Sequence, residues 1–72
     1  MTKQNLKIYG YESAEFETLL ELREVTFSIN AEQAELIGEF FLKCARDMTE
    51  NPDWEHKHYD GAGPVDLIVY KS

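Results

Sequence analysis

The chain has one cysteine, Cys44, in 72 residues. An internal disulfide is excluded, and no cysteine pair exists to hold zinc. No apolar run approaches the ~20 residues needed to span a bilayer. Basic residues are scarce: 7 Lys and Arg stand against 14 Asp and Glu, a net charge of −7. Nucleic acid and anionic membrane are poor partners for such a surface, because both would repel it. There are two prolines, and each falls at a break between periodic segments. Internal repeats and low-complexity segments are also lacking. What is present, 43% apolar residues, is enough for a globular chain.

The length predicts a single domain, residues 1–72, near the small end of what folds without disulfides or metals. Its core must come from packing or be extended by self-association. Residues 1–5 are polar and lead directly into strand-like sequence, so no signal peptide is expected there. Together with a lone thiol on an apolar face, this gives a cytoplasmic expectation.

Residues 30–51 carry the clearest pattern. At about 100° per residue, Ile37, Phe40, Phe41, Cys44 and Met48 fall on one side of a helix, with Ala34 and Ala45 at its edge. Glu32, Glu35, Glu39, Lys43, Arg46 and Glu50 fall on the other. Asn30 and Gln33 have the spacing of a capping box, and Asn51-Pro52 ends the helix because proline disfavours helical geometry in the residue before it. Gly38 weakens the helix by about 1 kcal/mol relative to Ala. Its place at the apolar margin predicts the close approach of a strand.

The flanking sequence reads as four strands. Residues 6–11 alternate. Residues 19–29 alternate with a phase change at Arg23-Glu24, which implies a one-residue bulge or two short strands. Residues 54–59 form a third strand, and the turn over residues 60–64 is rich in glycine and proline. Residues 65–70 are apolar on both faces, the mark of a central strand. The expectation is an α+β fold: a four-stranded antiparallel sheet in ββαββ order, with one amphipathic helix packed on one face. Phe27, Ile37, Phe41, Met48, Leu67 and Val69 should form its core. The other face, bearing some of Tyr9, Tyr11, Tyr59, Tyr70 and the histidines, is left for dimerisation or a partner.

Candidate chemistry is sparse. His56 and His58 share one face of a strand, about 7 Å apart along it. With Asp60 they are the best metal candidates, but a third protein ligand is not fixed by spacing, and no metal or other cofactor is expected. Cys44 reads as a small buried hydrophobe. Gly61-Ala-Gly63 precedes a strand rather than a helix and is not a phosphate loop. No nucleophilic triad can be assembled, and 72 residues leave little room for a concave site, so no enzyme is expected. The remaining feature is acidic. Glu12, Glu15 and Glu17, with Glu21 and Glu24, are joined by Glu32, Glu35 and Glu39 on the helix. Clustered carboxylates imitate phosphates and steer a basic partner, although a merely solubilising face has the same composition. Tyr11, His56 and His58 complete the candidate partner-binding residues.

Two segments together resemble a known family. One is Leu22-Arg-Glu-Val-Thr-Phe27, followed by a capped helix containing Glu39-Phe-Phe-Leu42 and Ala45-Arg-Asp-Met48. The other is Trp54-Glu-His-Lys-His58, followed by Asp66-Leu-Ile-Val69. This order is similar to the immunity protein 32 family of bacterial polymorphic-toxin systems, over roughly residues 19–70. The resemblance implies a protein that binds and neutralises a cognate toxin without catalysis, and it assigns no role to His56 or His58. A basic toxin fits the acidic surface. The other functional class left open is a small dimeric module that binds a metal or ligand through His56 and His58, and a bare accessory role is a third.

Overall fold

Two side chains explain where the helix begins. In the computed structural model, which describes residues 6–13, 15, 17–61 and 63–72, helix α1 spans Ala31–Glu50. Asn30 is extended, and its side chain accepts from the Gln33 amide at 2.8 Å. The Gln33 side chain accepts in turn from the Asn30 amide at 2.9 Å, closing the capping box and satisfying two otherwise orphaned donors. Glu32 lies in the first turn, where the helix dipole favours a carboxylate. At the far end the Asn51 amide donates to the Asp47 carbonyl at 2.9 Å. Asn51 then takes an extended conformation ahead of Pro52 and accepts from the Asp53 amide through its side chain, so the helix stops there.

Strands β1 (Ile8–Gly10), β2 (Leu20–Leu22), β3 (His56–His58) and β4 (Ile68–Tyr70) complete the expected element order. The chain is α+β. The expected single four-stranded sheet is not formed. Among the described residues β1 pairs only with β2 and β3 only with β4, giving two separate antiparallel hairpins. The physical reason lies in residues 24–29. The chain bends at Arg23, where the alternation changes phase, and then runs on without pairing. Val25, Phe27 and Ile29 are all exposed, and among the described residues no strand pairs with them. The polar stretch 1–5, positions 14 and 16 of the acidic connection and position 62 of the turn lie outside the described residues.

In the first hairpin Ile8 faces Leu22 and Gly10 faces Leu20. A Cβ on Gly10 would lie 3.2 Å from Leu22 Cδ1, so the absent side chain lets Leu22 fold over the strand. In the second, His56 faces Tyr70, Lys57 faces Val69 and His58 faces Ile68. Tyr59 donates to the Leu67 carbonyl at 2.8 Å and Lys71 to the Glu55 carbonyl at 2.9 Å, carrying the ladder one residue beyond each end. Gly61 and Gly63, both at positive φ, make the turn between these strands.

The core is small. Among the described residues only Phe40 (9% exposed) and Cys44 (1%) are buried. The Phe40 ring lies 5.1 Å from that of Tyr59, which places the helix on the second hairpin. Ile37, Met48, Leu67 and Val69 are half-buried around them. Two expected core residues are not in it: Phe41 is 42% exposed and Phe27 48%. Phe41 follows Phe40 by about 100° on the helix and turns off the narrow stripe that meets the hairpin. Residues 65–70 are not a central strand. Ile68 and Tyr70 face outward beside the histidines, so apolar residues on both faces reflect an exposed face rather than a covered one. Of the tyrosines from which the uncovered face is expected to draw, Tyr59 packs inward against Phe40. Nor, among the described residues, does a strand approach Gly38, where an added Cβ would meet nothing within 4 Å.

The consequence is a large surface. The chain exposes 6833 Å², whereas a compact monomer of its mass exposes about 4,600 Å². Its radius of gyration is 13.5 Å, against about 11 Å for a compact domain of this length.

Candidate functional surfaces

The second hairpin sorts its side chains into two faces. Lys57, Tyr59, Leu67 and Val69 are half-buried toward the helix, and His56, His58, Ile68 and Tyr70 are exposed. Because β3 side chains alternate, the two histidines emerge together, their ring centroids 5.3 Å apart and nearly edge to face. That is the one close pairing among the residues singled out from sequence. Asp60 does not join it as a ligand: among the described residues no group of three or more His, Cys, Asp or Glu side chains is placed to hold a metal ion.

The six carboxylates are all exposed and lie in two places. Glu12, Glu15 and Glu17 lie in the connection between β1 and β2, where the Glu15 amide donates to Ser13 Oγ at 3.3 Å. Tyr11 is exposed at the start of the same connection. Glu32, Glu35 and Glu39 follow one another at helical spacings of three and four residues, which makes them neighbours along one side of α1. This acidic row is not uniform. Glu39 shares a shallow depression with Leu42, Lys43 and Arg46, so the negative character is concentrated toward the helix N-terminus.

Cys44 sits against the second hairpin, and burial pushes its thiol above its ordinary value of 9.0. Asp47 adds to the shift, while Lys57 and Lys43 oppose it. The thiol is therefore neutral near pH 7 and packs as a hydrophobe.

One surface was not anticipated as a site. A groove of about 400 Å³ runs between the helix and the second hairpin, lined by Leu6, Phe41, Cys44, Ala45, Met48 and Val69. Its signal was the breadth of the apolar side of the helix, wider than one short hairpin can cover. Among the described residues no helix is long and apolar enough to cross a membrane. In comparisons with protein families, curated proteins and solved structures, no family model, protein or structure matches this chain.

Proposed function

We propose that this chain is a small, non-catalytic binding protein, and specifically an immunity protein that neutralises a cognate bacterial toxin with a basic surface in the cytoplasm of the producing cell. The observation that carries the reading is the exposure of both carboxylate sets on a chain of net charge −7. Held outward along a helix side and in a strand connection, these groups offer charge to a basic partner at little desolvation cost until contact. They also raise the rate of encounter. The resemblance of residues 19–70 to immunity protein 32 supplies the class of partner.

The experiment has two stages. Capture from the native cell, read by mass spectrometry, identifies the partner, and the toxin gene is expected beside this one. Binding is then measured for Glu12, Glu15 and Glu17 changed together to Gln, and for Glu32, Glu35 and Glu39 changed together. At least one set should weaken binding, and the wild-type association rate should fall as salt rises past about 0.1 M, where screening acts within about 10 Å. Normal binding by both sets, with a rate indifferent to salt, would exclude the acidic surface. If Tyr11→Ala then abolished binding, the site would move to the aromatic residues.

A second reading draws on the 5.3 Å histidine pair: a module that binds a metal or ligand through His56 and His58. Its test is titration of untagged protein with zinc, nickel or copper. Stoichiometric binding lost in His56→Ala would favour it over the toxin-binding reading.

A further inference from the structure

We infer that a second copy of this chain covers the groove between the helix and the second hairpin, and that residues 25–29 of each copy form part of that interface. The inference stands on the area and backbone of the single chain, independently of any toxin.

The area comes first. The surface exceeds that of a compact monomer of this mass by about 2,200 Å². Counting the eight undescribed residues as wholly extended chain still leaves an excess of about 1,200 Å². Two copies burying that excess would remove about 2,400 to 4,400 Å² in total, which falls within the range of obligate homodimers. The groove is a natural place for it, since every lining side chain is apolar and Phe41 stands 42% exposed at its edge.

The backbone gives a second, separate observation. Residues 25–29 belong to no helix or strand, with Val25, Phe27 and Ile29 on alternate positions of the sequence and all exposed. No backbone hydrogen bond joins them to another described residue. An unpaired apolar segment of this kind is a template for another chain. Each copy thus has, among its described residues, both an apolar groove and an arm without a backbone partner, and a two-fold arrangement satisfies both at once. Charge permits the contact. Two copies at −7 repel, but neither the groove lining nor residues 25–29 contains a charged side chain, so the carboxylates remain at the rim.

Sedimentation equilibrium of the full chain tests this. The expected mass is twice 8.4 kDa. Phe41→Glu in the groove and Phe27→Asp in the arm should each weaken the dimer by at least about a hundredfold, because each buries an unpaired charge. Leu36→Glu, exposed on the helix outside the groove, should leave it intact. Circular dichroism checks folding. If Phe41→Glu fails to fold, the wild-type mass and Phe27→Asp decide. A wild-type mass of 8.4 kDa at every concentration would overturn the inference, as would folded Phe41→Glu and Phe27→Asp variants that both remain dimeric. A monomeric chain that fills the groove only with a foreign protein would overturn it too, while leaving the toxin-binding proposal in place.

Discussion

Phe40→Ala is the sharpest probe of how this chain holds together. Phe40 is one of two buried residues among those described, and its ring meets Tyr59 at 5.1 Å and Phe41 at 6.0 Å. Truncating a buried Phe costs about 3 to 5 kcal/mol, and the lower half applies here because a core this shallow can partly collapse into the space. A domain of this length holds roughly 4 to 11 kcal/mol in all, so the loss removes a large share of it. Urea unfolding followed by the fluorescence of Trp54, the only tryptophan and half-buried, reads the change. With a slope near about 1 kcal/mol per molar urea, the midpoint should fall by about 3 M. Phe41→Ala, measured in dilute protein, should cost less than about 1.5 kcal/mol, because Phe41 already has much of its surface in water. If dilute Phe41→Ala loses as much as Phe40→Ala, or Phe40→Ala loses under about 1 kcal/mol, the packing described here is wrong and Phe41 belongs in the core.

Gly38→Ala should stabilise dilute protein by about 0.5 to 1 kcal/mol in thermal unfolding, since the new methyl meets nothing within 4 Å; a loss instead would reveal a neighbour pressed against that turn. Asn30→Ala should cost about 1 kcal/mol by removing the acceptor for the Gln33 amide, while Asn30→Ser keeps most of it, as urea unfolding can show. The Cys44 thiol has a folded pKa above its ordinary 9.0. Its contribution is therefore complete below that value and is lost as pH rises through it toward the folded pKa, because the unfolded chain ionises first. Stability measured from pH 8 upward should decline, and Cys44→Ala should flatten the decline; identical slopes in the two proteins would show that the thiol plays no part.

Local signals in this sequence were legible and long-range pairing was not. Asn30, Gln33 and Pro52 set the helix ends through contacts within three residues, and the structure closes those contacts as the spacing implied. Each strand falls inside its expected range, though only three residues of it form, and which strands share a sheet depends on contacts between distant segments. The alternation of Val25, Phe27 and Ile29 predicts a continued strand, whereas β2 ends at Leu22 and residues 25–29 pair with no other described residue. The helix pattern shows an apolar side without saying which part is covered: it predicts Phe41 in the core, whereas Phe40 is the residue that meets Tyr59. Of the candidate sites, the shared face of His56 and His58 followed from strand periodicity alone. The groove did not, because it is assembled from Leu6, the helix and Val69, three segments far apart in sequence.

The central claim is that one chain leaves apolar surface and backbone for another to complete. Amide hydrogen exchange of residues 25–29, followed as protein concentration is raised roughly a hundredfold, tests it most directly. These amides have no intrachain backbone partner among the described residues. They should exchange freely in dilute protein and become protected as copies associate, while the helix amides stay protected throughout. Protection already complete in dilute protein would mean that residues 25–29 pair within their own chain, and exchange that stays fast at every concentration would mean that no second copy covers them.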